Sequence, residues 1–191
     1  LSYYGNKTIT TGEGGVVLTK EEMLKDKVYM LKNHGRKTKG TFIHETLGWN
    51  FSFTEMQAAI GIAQMKKLNE IIKKKYKLYE EYSKRIKSKN IKMKSVPNST
   101  SSPVHWFTNV ICEDAEHLQN FLKLYSIPSR RVFYPLNKQD TFKTFSFYKK
   151  KFKVSEDLSS NGFYLPSYLD MNKKDIKNIC DKLINFLNEK K

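Results

Sequence analysis

Near the start of the sequence, "SYYGNKTITTGEGG" holds one lysine, Lys7, among small, aromatic and hydroxyl residues. A lysine amine attacks carbonyls, forming an imine, when a dry pocket or a nearby cation lowers its pKa. Ser2, Tyr3, Tyr4, Gly5 and Asn6 form a setting that could pack closely and exclude water. Taken alone, the same residues also fit a plainer reading, a solvated surface charge beside a strand. Cys112 and Cys180 stand far apart without metal-ligand spacing, so they read as reduced structural thiols suited to a cytoplasm, and no metal site is expected.

The elements that must position Lys7 can be read from the pattern around it. "EGGVVLT" is a β-branched run after two glycines and predicts a strand. From Lys20 to Asn33, Met23, Leu24, Val28 and Leu31 recur at helical spacing, with Thr19 as N-cap and Gly35 as the stop. Residues 36–53 show no period and predict an ordered loop. From Thr54 the pattern predicts one long helix linking two bodies, with Ile60, Leu68, Ile72, Tyr79 and Ile86 on the packing side and the lysines from Lys66 to Lys87 on a solvated face.

A second body follows. The polar run "SVPNSTSSP" is the clearest boundary cue, "VHWFTNVIC" alternates as a strand and "DAEHLQNFLKLYSI" is amphipathic. "SRRVFYPL" reads as a short strand entering a turn, and "TFKTFSFYKKKF" as a partly buried loop. Ile176, Ile179, Cys180, Leu183, Ile184 and Leu187 outline one face of a terminal helix. No internal repeat is visible.

The chain has 191 residues and a net charge of +16. Such a charge raises the question of nucleic acid. Of its 35 basic residues, however, only Arg36, Arg85, Arg130 and Arg131 are arginines, and the lysines are spread along the chain rather than gathered into a stripe. Base-edge readers favour arginine, so no specific nucleic-acid binding is expected. No stretch approaches the ~20 apolar residues that span a bilayer, and no leader resembles a signal peptide, so a soluble cytoplasmic protein is expected. Opening at Leu1 in mid-pattern, the sequence reads as a fragment.

"SYYGNKTITTGEGGVVLT", "LKNHGR" and "LGWNFSFTEMQAAIGIAQMKKLNEI" together resemble the DegT/DnrJ/EryC1/StrS family of sugar-nucleotide aminotransferases that depend on pyridoxal 5'-phosphate (PLP). "VHWFTNVI", "SIPSRRVFYPLNKQDTFK" and "LSSNGFYLPSYLDMNKKDI" continue the resemblance in order along nearly the whole chain, most closely to its perosamine-synthase branch. The resemblance implies an α/β, aspartate-aminotransferase-like fold (PLP fold type I). Residues 1–66 would be the remainder of the large PLP-binding domain, and residues 67–191 a small C-terminal domain entered by the linking helix.

The resemblance also implies roles. Lys7 would carry PLP and then act as the acid and base that moves a proton. Ser2 would bind the cofactor phosphate, Asn50 would reach the phosphate of a neighbouring subunit in a homodimer with shared active sites, and Phe133 and Tyr134 would face substrate. The amino group would pass from glutamate to a nucleotide-linked keto-deoxysugar. Two positions depart from the family pattern: Ser52 stands where a cation is usual, and Asn137 where the turn often has a histidine. The groups that would hold the pyridine ring belong to sequence upstream of this chain, so activity of the chain alone is not expected. The reading from another class is a basic binding module, or a decayed remnant of the enzyme.

Overall fold

The computed structural model describes residues 1–93 and 103–188. The chain divides into two compact units, Leu1–Glu70 and Ile71–Lys191. The polar run expected to mark a boundary, residues 95–103, falls inside the second unit and, apart from Pro103, lies outside the described residues.

In the first unit the glycine-rich stretch folds back on the chain start. The Leu1 ammonium donates to the Val16 carbonyl at 2.7 Å, and Val16 N–H donates to Leu1 O at 2.9 Å. A single bridge, Ser2 to Gly15, stands where a strand over residues 13–19 was expected. The partner of this run is Leu1–Tyr3, and that pairing reaches only to Val16. Val17 and Leu18 therefore remain 60% and 75% exposed.

Helix α1 runs Glu22–Lys32, and its N-cap is Glu21 rather than Thr19. The Thr19 hydroxyl instead accepts from Glu21 N–H at 3.0 Å, forming a turn just before the helix. At the other end His34 (φ 59°) and Gly35 (φ 76°) enter the left-handed region, and Gly35 N–H returns to Met30 O at 2.8 Å, as the sequence suggested. A Cβ at Gly35 would sit 1.8 Å from Thr46 O, so glycine is required there for space as well as for φ.

The long helix is two helices, α2 over Glu55–Lys66 and α3 over Leu68–Arg85, separated at Lys67. Thr54 starts α2 with a reciprocal cap: its hydroxyl accepts from Gln57 N–H at 3.2 Å while its own N–H donates to Gln57 Oε1 at 3.0 Å. The packing side of α3 also differs from expectation. Ile71, Leu78 and Tyr82 are buried, with Ile86 just beyond the helix, whereas Ile72 and Tyr79 are half-buried and Ile60 of α2 is 48% exposed.

The second unit is built on a four-stranded antiparallel sheet ordered β1-β2-β4-β3, with β1 Ile91–Met93, β2 Thr108–Cys112, β3 Arg130–Arg131 and β4 Gly162–Leu165. One face carries Ile91, Val110, Cys112, Phe163 and Leu165 into a single core. Helices α3, α4 (Ala115–Leu124) and α6 (Lys173–Asn188), with Ile86 and Ile127 just beyond α3 and α4, supply the rest of that core, and a shorter α5 (Lys153–Asn161) leads into β4. In α6, Ile176, Ile179, Cys180 and Leu183 are buried as the spacing predicts. The fifth core residue is Phe186, with Ile184 36% exposed and Leu187 only partly buried. Strands β1 and β4 and helix α5 have no counterpart in the sequence reading. The "TFKTFSFYKKKF" loop opens in a short 3-10 turn that begins one residue earlier, Asp140–Phe142, and holds a cluster of Phe142, Phe145 and Phe147 rings.

Candidate active site

Lys7 lies in a hairpin-like loop whose base is the Ser2–Gly15 bridge. Inside it Lys7 N–H donates to Tyr4 O at 2.9 Å, Thr11 N–H to Tyr3 O at 3.0 Å and Tyr3 N–H to Gly14 O at 2.9 Å. Thr10 and Thr11 brace the tip, the first donating to Tyr3 O at 3.0 Å and the second to Glu13 O at 2.6 Å. Lys7 is half-buried, and Ser2 is exposed with its hydroxyl accepting from Tyr4 N–H at 3.3 Å. Ser2 and Lys7 thus share one braced loop. The start of α2 backs this loop, because Gln57 Nε2 donates to Glu13 O at 3.1 Å. Phe53 also packs there, against Tyr3 and so near Gly14 that a Cβ on that glycine would lie 2.6 Å from the ring.

Asn50 belongs to a different connection. It is exposed, its backbone bridges Asn33, and the flanking residues tie to the end of α1 through Trp49 N–H to Leu31 O at 2.7 Å and Phe51 N–H to Lys32 O at 3.0 Å. Ser52 is exposed on the same connection. Arg36 organises its own loop, donating to Thr41 O at 2.8 Å and to Asn33 Oδ1 at 3.2 Å.

In the second unit Phe133 and Tyr134 stand 69% and 58% exposed between β3 and a 3-10 turn, Leu136–Lys138. Asn137 is buried. Its side-chain amide donates to Lys150 O at 2.7 Å and its backbone carbonyl accepts from Lys149 N–H at 2.9 Å, so it clamps the aromatic, lysine-rich segment.

One residue that the sequence reading placed on a solvated face has another role. Lys75 is half-buried, and its ammonium donates to Trp106 O at 3.2 Å and to Ser167 O. Burial lowers its pKa from the usual lysine value. Tyr82 OH adds a bond to Pro166 O at 3.0 Å, and Ser167 Oγ both accepts from Thr108 N–H and donates to Leu165 O. Together these bonds pin the entry of β2 to the exit of β4. Nearby, the His105 ring stacks on Tyr79 at 3.8 Å, and burial holds its pKa below the usual imidazole value. The signal for Lys75 was its spacing, four residues after Ile71 and three before Leu78, on the face that does pack.

Among the described residues no cluster of His, Cys, Asp and Glu could hold a metal, and no helix is long and apolar enough to cross a membrane. An amine and a hydroxyl on one braced loop are the groups that a phosphorylated aldehyde cofactor needs for covalent capture and phosphate binding. Residues 1–184 match the model of the DegT/DnrJ/EryC1/StrS aminotransferase family. The chain belongs to this family.

The family depends on PLP. The chain is 32% identical to the GDP-perosamine synthase of Escherichia coli O157:H7, an alignment covering 99% of the chain and 51% of that protein. It is 30% identical to the UDP-4-amino-4,6-dideoxy-N-acetyl-beta-L-altrosamine transaminase of Campylobacter jejuni, over 100% of the chain and 52% of that protein. Its fold superposes on Helicobacter pylori PseC, an aminotransferase involved in the biosynthesis of pseudoaminic acid, with TM-score 0.84 at 22% identity over 98% of the chain and 52% of that structure. The chain therefore spans about half the length of the curated relatives it matches.

Proposed function

We propose that the protein containing this chain moves an amino group from glutamate onto a keto-deoxysugar linked to a nucleotide, and that the chain is its C-terminal part. Residues 1–66 would complete the large PLP-binding domain and residues 67–191 form the small one. The observation that carries the reading is the half-buried Lys7 on a braced loop with Ser2, in a chain of this family. The names of its relatives, a GDP-perosamine synthase and a UDP-linked aminosugar transaminase, support the substrate class.

Lys7 Nζ would hold PLP covalently, and Ser2 Oγ would donate to the cofactor phosphate. When bound, PLP supplies an electron sink that allows an amine to be exchanged for a carbonyl. Lys7 Nζ would also serve as the acid and base that moves a proton between two carbon atoms. The amide of Asn50, fixed at the end of α1, would reach the phosphate in a second copy of the protein, and Phe133 and Tyr134 would face that copy's sugar. A two-fold dimer presents such a patch twice, giving two equivalent shared sites. The buried thiols Cys112 and Cys180 suit a reducing cytoplasm.

Borohydride reduction of the full protein loaded with PLP should fix the cofactor on the peptide that contains Lys7, and Lys7→Ala should abolish the label. A label on any other lysine removes the assignment.

A further inference from the structure

The segment from Lys138 to Lys153 carries charge and aromatic rings together. It holds six lysines and one acid, Asp140, interleaved with Phe142, Phe145, Phe147, Tyr148 and Phe152. Its backbone is an ordered knob: Phe145 N–H donates to Phe142 O at 2.9 Å, Tyr148 N–H to Phe145 O at 2.9 Å and Lys150 N–H to Phe147 O at 3.1 Å, one turn after another. Lys149 turns the chain with φ 61°, and Asn137 clamps the knob there, at Lys149 and Lys150.

The acid within the knob and the nearest one on α5 are both engaged. Asp140 pairs with Lys143 at 3.3 Å and accepts from Tyr148 OH at 3.1 Å. Glu156, in the first turn of α5, pairs with Lys138 at 2.9 Å and accepts from Phe152 N–H at 3.2 Å. The next acid, Asp157, stands exposed on α5. Lys149, Lys150, Lys151 and Lys153 are exposed and, among the described residues, form no ion pair. Beside them Phe145 and Phe152 are half exposed and Val154 is exposed. The rings of Phe142, Phe145 and Phe147 pack on one another with centroids 5.4–5.7 Å apart, so Phe145 stands on a firm base.

Apolar rings and ammonium groups without counter-ions select a partner with a negative surface and an apolar interior behind it. An anionic bilayer offers both. Lysine stems lie along apolar surface while their ammonium groups stay at the headgroups, and aromatic rings favour the same interfacial depth. Each lysine held near an anionic leaflet is worth about a fivefold gain in affinity, and inserted rings supply the second contribution that stable attachment needs. The contact is peripheral, because among the described residues no helix is long and apolar enough to cross a membrane. Nucleic acid fits the knob less well. Its clustered rings are tilted against one another instead of lying open to bases, and the Arg131 guanidinium before it is turned to the carbonyls of Ser159 and Ser160. A second copy of the chain, at net +16, would bring like charge.

We propose that the knob Lys138–Lys153 docks on an anionic phospholipid surface, with Lys149, Lys150, Lys151 and Lys153 at the headgroups and Phe145 and Phe152 entering between them. Phe133 and Tyr134 precede the knob and take no part. Such docking is separate from amino-group transfer and requires neither Lys7 nor PLP.

The test is co-sedimentation of the 191-residue chain, at near-physiological salt, with vesicles of phosphatidylcholine alone and with vesicles that also contain about 30% phosphatidylserine. Binding to the anionic vesicles alone is expected. Lys149→Gln, Lys150→Gln and Lys151→Gln combined should weaken it about a hundredfold, and they leave the backbone groups of the Asn137 clamp in place. The same charge removed elsewhere, by Lys73→Gln, Lys77→Gln and Lys87→Gln combined, should cost less than about fivefold. Phe145→Ala should weaken binding about fivefold, and Phe145→Trp should keep it. Phe152→Ala, outside the ring cluster, reads the same insertion if Phe145→Ala loosens the knob. Equal losses from the two lysine triples would show that overall charge does the binding, and would overturn the site. Equal binding to phosphatidylcholine alone, no binding to either vesicle, or unchanged binding in both phenylalanine variants would overturn it too. So would tighter binding of oligothymidylate than of the anionic vesicles through the same lysines.

Discussion

Leu1–Glu70 and Ile71–Lys191 are held together in different ways. Among the described residues every buried hydrophobic side chain belongs to the second unit. In the first, the buried side chains are Thr11 and Asn33, α1 and α2 bury none of their residues, and Met23, Phe42 and Leu47 are 82%, 90% and 87% exposed. The first unit keeps its shape by backbone pairing, a left-handed stop at Gly35 and the Thr54–Gln57 cap. Hydrogen bonds define geometry but contribute modestly to net stability, whereas burial of apolar area supplies most of it. The lysine expected to do chemistry thus sits where cohesion is least, and apolar surface of this extent is what protein interfaces are made of.

The sharpest way to break this comparison is to remove one apolar side chain from each unit. Phe163→Ala, in a fully buried position, should cost about 3–5 kcal/mol in urea unfolding. Ile60→Ala, at a position 48% exposed, should stay within about 0.5 kcal/mol. Equal losses would mean that the first unit has a core of its own.

Alkaline pH sharpens it further. Burial pushes the Cys180 thiol up to about 12 from its usual 9.0, and burial also drives the Tyr82 phenol far above its usual 10.0. Both groups keep their protons in the folded state at pH values where the unfolded chain loses them. Their stabilisation is therefore complete below pH 9 and declines as pH rises, first through Cys180 and then, above 10, through Tyr82, by about 1.4 kcal/mol per pH unit for each group. Cys180→Ala and Tyr82→Phe should each remove their part of the slope in pH-dependent urea unfolding of the second unit. A slope unchanged in both variants would show that these protons do not report on its core.

The smallest effect belongs to the first unit. Thr54→Ala should cost about 1 kcal/mol, seen as faster amide exchange at Gln57 and in the first turn of α2. Protection equal to wild type would show that the cap does not hold this helix.

What could be read from sequence followed from where one period dominates. Leu118 and Leu122 in α4, and Ile176, Ile179, Cys180 and Leu183 in α6, leave one choice of face, and that face is buried. In α3 the pairs Ile71–Ile72 and Leu78–Tyr79 offer two adjacent faces of similar hydrophobicity, and only the tertiary core decides for Ile71 and Leu78. The break at Lys67 was hidden because its backbone stays near helical values, φ −97° and ψ 0°, with no glycine or proline to mark it. Strand β1 has three residues and β4 four, too short for alternation to show. For the site, the stop at Gly35 after α1 and the start of α2 at Thr54 were legible because turns and caps demand particular residues, whereas the N-cap of α1 fell on Glu21 and not on Thr19. Lys75 was not legible, since a lysine whose ammonium caps two carbonyls distant in sequence looks like any other surface lysine.

The two cysteines have a practical consequence. Both thiols are inside the second unit's core, and Cys180 is held protonated well beyond neutral pH. Alkylating reagents attack thiolates they can reach, so the folded chain should react slowly with maleimides. A cysteine introduced at an exposed position of either unit would therefore take up a dye or spin label on its own, without first stripping the native pair.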